Sequence, residues 1–90
     1  MKKYSVEYTE KAKKQLRKLD RPAKVLIKNW IEKNLEGTDD PRKHGKSLTG
    51  SLSTYWRYRV GDYRILADIQ DDELIIIAVA IDHRKQVYRK

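Results

Sequence analysis

The chain has 90 residues, with 21 Lys and Arg against 13 Asp and Glu, a formal net charge of +8. That length leaves room for one hydrophobic core, and such a charge surplus favours an anionic partner: nucleic acid, an acidic protein or a lipid surface. The absence of cysteine excludes disulfides, thiolate nucleophiles and cysteine-based metal sites. The only two histidines have no obvious acidic co-ligands, so neither a metal nor a cofactor is expected.

The start, MKKYSVEYTEKAKKQL, has lysines but no apolar stretch behind them, and the longest apolar run, Leu74–Ile81, is too short for a bilayer. A cytoplasmic location is therefore expected. Residues 2–8 alternate, with Tyr4, Val6 and Tyr8 in one phase, and suit a short strand. Thr9 can cap a helix in which Ala12, Leu16 and Leu19 recur at helical spacing while the lysines face water. Asp20-Arg21-Pro22 is a second helix start, because Pro is tolerated in a first turn. Ala23, Leu26, Ile27, Trp30, Ile31 and Leu35 then form one broad stripe that ends at Gly37.

Residues 37–50, GTDDPRKHGKSLTG, read as a polar loop with its basic residues in the second half. The period then changes to two. Residues 53–60 and 63–69 form strands joined by Gly61-Asp62, and Asp71-Asp72 turns the chain into Leu74–Ile81. That run has no polar alternation, so it reads as a central strand covered on both faces. The predicted fold is α+β in a single domain over residues 1–90. An N-terminal strand and a helical hairpin pack on one face of a small, mainly antiparallel, four-stranded sheet.

The segment WRYRVGDYRIL, Trp56–Leu66, carries the functional signal. Alternation puts Trp56, Tyr58 and Val60 on one face and Tyr55, Arg57 and Arg59 on the other, and Arg64 can join that second set across the hairpin. Guanidinium groups placed side by side repel one another, so they do not serve stability. They either splay into water with Asp62 and Asp68 as partial partners, or form a cradle whose rigid donor forks match phosphate oxygens. His83 carries the one imidazole of the C-terminal segment, a side-chain type suited to proton transfer, and is a candidate for that role or a strand-end residue bonding locally.

Lys46-Ser47-Leu48-Thr49-Gly50, Trp56–Arg64 and His83-Arg84-Lys85-Gln86-Val87-Tyr88, in that order behind a helical hairpin, resemble the RelE/ParE superfamily of bacterial toxins. More narrowly they resemble the RelE-type mRNA interferases of type II toxin–antitoxin pairs. The resemblance runs over essentially the whole chain. It implies a metal-free endoribonuclease that cuts translated mRNA on the ribosome, with the ribose 2′-hydroxyl attacking the adjacent phosphate. It also implies a cognate antitoxin, acidic or amphipathic and partly disordered, that blocks the arginine face.

By position, Arg57 and Arg59 match the family's paired basic strand residues, Arg64 its phosphate-stabilising arginine, Arg84 its distal catalytic arginine and Tyr88 its C-terminal aromatic. His83 falls about where related toxins place histidine. Lys43, Lys46 and Tyr55 are expected to contact RNA. Where some members carry a lysine that acts as base, this chain has Arg57, which hardly deprotonates near neutrality and suits an electrostatic clamp. The general base is thus left open. Two other readings share the fold: a ParE-like poison of DNA gyrase, and a non-catalytic RNA- or ribosome-binding homologue.

Overall fold

A computed structural model of the chain describes residues 3–48 and 55–83. Both helices start where their capping side chains stand. Thr9 Oγ1 accepts from the Ala12 amide at 3.1 Å, opening α1 (Glu10–Lys18). Asp20 Oδ1 accepts from the Ala23 amide at 3.1 Å, opening α2 (Arg21–Asn34) with Pro22 in its first turn. Beyond α2, Gly37 takes φ +80°, and its amide donates to the Tyr4 carbonyl at 2.8 Å. That bond ties the helix end to the first strand.

The strands are β1 (Ser5–Tyr8), β2 (Lys46–Ser47), β3 (Trp56–Val60), β4 (Tyr63–Gln70) and β5 (Ile75–His83), in the spatial order β1-β5-β4-β3-β2. Only β1–β5 is parallel; the other pairs are antiparallel. Gly61 has φ +60° at the first central position of the β3–β4 turn, while Asp62 is not among the positive-φ residues. A Gly-Asp order therefore works here as a type II′ turn, which asks for glycine first.

The sheet has five strands where the sequence suggested four. The extra one, β2, is two residues long and too short to leave a readable period, but Lys46 and Ser47 pair with Arg57 and Trp56. The centre of the sheet is β4, with β5 beside it. Nor are both faces of β5 buried: Ile76, Ala78 and Ile81 face the core, whereas Ile75, Ile77, Val79 and Ala80 are half-buried. The register slips between Leu66 and Ala67, which face Ala80 and Ala78 and leave Val79 as an extra residue. This β-bulge reverses the strand's alternation from there to its end.

The core lies between the helices and one sheet face, around Tyr58, Ile27, Ile31, Leu35, Ile65, Ile76 and Ile81. Each such side chain contributes about 1.5–3 kcal/mol by leaving water. The α2 stripe is narrower than its sequence suggests. Ala23, Ile27, Ile31 and Leu35 are buried, whereas Leu26 is 46% exposed and Val25 49% exposed. At 100° per residue, Leu26 falls on the margin of a stripe centred on Ile27 and Ile31.

Candidate nucleic-acid interface

The register brings basic residues together on the sheet face away from the helices. Lys46, Arg57 and Leu66 lie in one cross-strand row, and Arg59, Arg64 and Asp82 in the next. Gly45, Lys46, Arg57 and Arg59 line an open hollow of about 240 Å³. Among the described residues its lining contains three cations and no carboxylate. Arg59 is exposed and Arg57 half-buried, while Arg64, directly opposite Arg59, is only 6% exposed. Like charges opposite one another disfavour folding, and Asp82, on the other side of Arg64, offsets part of that cost.

The wall of the hollow is held from the other side of β3. Trp56 Nε1 donates to the His44 carbonyl at 2.6 Å, and Tyr58 Oη donates to the Pro41 carbonyl at 2.5 Å. Gly45 has φ +81°, and a Cβ there would collide with the Arg57 carbonyl oxygen. Glycine lets the loop lie directly against the strand that carries the arginines. Burial raises the Tyr58 phenol well above its ordinary value.

Arg42 comes from the same basic run but does not line the hollow. Its Nη1 and Nη2 donate to the two Asp71 oxygens at 3.0 and 3.1 Å, its guanidinium carbon lies 6.0 Å from the Trp56 ring centroid, and Tyr4 Oη donates to the same carboxylate at 2.7 Å. The phenol of Tyr4 is raised first by that hydrogen bond.

The other anticipated site residues are dispersed. Tyr55 is half-buried just before β3, its carbonyl accepting from the Leu48 amide at 3.3 Å. Lys43 is exposed and lines a second hollow beyond the loop. His83 pairs with Tyr63, and the two rings meet edge-on at 5.7 Å. Its row continues to Val60 and belongs to the helix-side phase, one residue away from the Arg64–Asp82 row. His83 thus does not join the arginines, because the bulge at Val79–Ala80 inverts the phase of the strand end. Arg84 and Tyr88 lie outside the described residues.

Sequence reasoning missed Gly45 and the bond from Trp56. A glycine between a histidine and a lysine was a usable signal for the first; nothing in the sequence announced the second.

A helical hairpin behind a five-stranded, mainly antiparallel sheet, with a basic hollow on the other face, is the arrangement to set against known proteins. Residues 6–88 match the family described as the ParE toxin of the type II toxin–antitoxin system parDE, and the chain belongs to that family. Toxin RelG of Mycobacterium tuberculosis is 29% identical over 87 residues, covering 97% of this chain and 98% of the relative. The M. tuberculosis toxin–antitoxin complex RelBE2 contains a chain with TM-score 0.82 and 28% identity, over 91% of this chain and 99% of that one. The isolated Escherichia coli RelE toxin superposes with TM-score 0.72 over 89% of this chain and 83% of its own, and at 20% identity it speaks to fold alone. The chain is thus a toxin of a type II toxin–antitoxin system, and it is similar to RelE-type toxins.

Proposed function

We propose that this toxin is a ribosome-dependent endoribonuclease acting on translated mRNA. The observation that carries the reading is the basic hollow formed by Lys46, Arg57 and Arg59, with Arg64 in the adjoining row. In the proposed reaction the ribose 2′-oxygen bonds to the adjacent phosphorus and the bond to the 5′-oxygen breaks. The products are a 2′,3′-cyclic phosphate and a free 5′-hydroxyl. Arg57 and Arg59 hold the non-bridging oxygens as charge builds on them, and Arg64 adds fixed positive charge from beneath. Preorganised donors of this kind are each worth about 10²–10³ in rate.

Arginine and lysine at the hollow are poor proton acceptors near neutrality, and His83 faces the helix side. We therefore assign orientation of the attacking hydroxyl to Tyr88 and electrostatic support of the leaving oxygen to Arg84, both from the C-terminal segment, while water takes the 2′ proton and returns one to the 5′ oxygen. Lys43 and Tyr55 contact RNA outside the hollow. The ribosome presents the mRNA, and a cognate antitoxin of acidic, amphipathic character neutralises the toxin by covering the arginine face.

The test is expression without antitoxin, followed by mapping of mRNA 5′ ends, for wild type, Arg57→Ala and Arg59→Ala. Cuts phased with codons in wild type and lost in both variants support the reading. Intact mRNA together with a DNA-damage response would replace it with gyrase poisoning.

A further inference from the structure

Of the three cations in the basic hollow, Lys46 has the weakest backbone support. Arg57 and Arg59 project from β3, which pairs with β4 along its whole length. Lys46 lies in β2, a two-residue strand at the edge of the sheet. Its ladder consists of Lys46 against Arg57 and Ser47 against Trp56, continued by the Leu48 amide donating to the Tyr55 carbonyl at 3.3 Å. A pairing this short is marginal by itself.

The segment leading into β2 is held from the helix side of the sheet. Trp56 is half-buried and packed against the core, and its Nε1–H donates to the His44 carbonyl at 2.6 Å. An indole has one donor, so this bond decides where the segment seats. Between His44 and Lys46, Gly45 lies so close to β3 that a Cβ would meet both the Arg57 carbonyl oxygen and the Trp56 indole nitrogen. The ring is steadied in turn. The Arg42 guanidinium carbon stands 6.0 Å from its centroid, and Arg42 is anchored to Asp71, just beyond β4, at 3.0 and 3.1 Å.

Lysine carries its charge on a flexible four-carbon stem, so what it adds to phosphate binding depends on where its backbone is placed. A side chain that must be ordered during binding, and not before it, weakens affinity by about three- to tenfold. Trp56 faces away from the hollow, and its route to a ligand is through the His44–Lys46 segment.

We propose that Trp56 is a positioning residue for RNA binding: its N–H seats the His44–Lys46 segment on β3 and delivers the Lys46 ammonium to the phosphate held by Arg57 and Arg59. The inference rests on the RNA-cleaving reading and adds to it a residue that acts on the substrate without touching it.

The test reads the hollow directly. A 2′-O-methyl RNA trinucleotide, which lacks the attacking hydroxyl and cannot be cut, is titrated into the labelled full chain. The Gly45 amide and the Arg57 and Arg59 Nε–H signals report its binding. Trp56→Phe keeps an aromatic ring against the core, removes the N–H, and should weaken binding about three- to tenfold. In a Lys46→Ala background the same substitution should change affinity by less than about twofold, whereas in an Arg59→Ala background it should keep its full effect. A merely structural role would weaken binding in every background alike. Wild-type affinity in Trp56→Phe, an equal loss with and without Lys46, or hollow signals that do not move in wild type would each overturn the proposal.

Gly45→Ala pushes the same segment off β3 from the loop side and leaves the core packing of Trp56 in place. It should show the same dependence on Lys46, and it decides the matter if Trp56→Phe folds poorly. On mRNA-programmed ribosomes, Trp56→Phe should raise the toxin concentration for half-maximal cutting and leave the plateau rate unchanged. A lowered plateau at unchanged half-saturation also overturns the proposal. A wild type that cuts no mRNA sinks the nuclease reading alone, because the titration judges Trp56 without cleavage.

Discussion

Strand β3 divides its five residues between two tasks. Toward the helices, Tyr58 is fully buried, Val60 is 2% exposed and Trp56 is bonded to the loop backbone. Toward the open face, Arg57 and Arg59 line a hollow and contribute little apolar burial. Adjacent residues thus belong to different free energies, one set to folding and the other, in the proposed function, to ligand binding. The contrast shows why an arginine pair that is poor for a sheet persists: a well-packed opposite face offsets its repulsion.

The widest separation between the faces comes from truncating each. Tyr58→Ala removes the largest fully buried side chain and strands the Pro41 carbonyl, and should cost about 3–5 kcal/mol, read as a fall in denaturation midpoint. Next in size, Arg57→Ala or Arg59→Ala should lower cleavage of ribosome-bound mRNA by about 10²–10³. Stability should stay within about 0.5 kcal/mol of wild type for the exposed Arg59. An Arg59→Ala protein that unfolds early would refute the division of β3 into a folding face and a binding face.

Much of this division was legible in the sequence, because period-two alternation is a direct consequence of the pleat. The caps at Thr9 and Asp20, the Gly61 turn and the sharing of a face by Arg57 and Arg59 follow from local chemistry. What was not legible depends on contacts distant in sequence. The Val79 bulge exists only against its partner strand, and that one extra residue carries His83 away from the arginines. Arg42 resembles any other member of the basic run until Asp71, 29 residues on, is seen opposite it. A two-residue edge strand such as β2 is defined by its partner alone.

A subtler test of the helix-side face is titration with alkali. An unfolded tyrosine ionises at about pH 10, whereas burial raises the Tyr58 phenol above its ordinary value. The folded state then holds a proton that the unfolded state releases, so this contribution to stability is intact below pH 10 and lost as pH rises beyond it. Tyr4 and Tyr8 are raised as well, by the bond to Asp71 and by burial respectively, and act in the same direction. Tyr58→Phe should cost about 1–2 kcal/mol at neutral pH through the stranded Pro41 carbonyl, and should make the alkaline loss shallower. Urea midpoints measured from pH 8 to 11 decide this; an unchanged slope in the variant would assign the loss to other groups.

The smallest effect belongs to the arginine that left the basic set. Arg42 and Asp71 meet in a two-pronged geometry, yet their side chains are 45% and 53% exposed. Solvent at that exposure screens the pair to about 0.2–1 kcal/mol, with the paired geometry favouring the upper part of the range. A double-mutant cycle of Arg42→Ala and Asp71→Ala, measured by urea unfolding, should return that coupling and lose most of it in 1 M salt, where the screening length is about 3 Å. Asp71→Ala alone also breaks the bond from Tyr4, so its single-mutant cost should exceed that of Arg42→Ala. Cleavage should fall far less in Arg42→Ala than in Arg57→Ala, because Arg42 steadies the loop through Asp71 and Trp56 and does not line the hollow. Equal losses of cleavage in the two variants would place Arg42 with the binding face and erase the distinction between the arginines that fold this chain and those that hold its ligand.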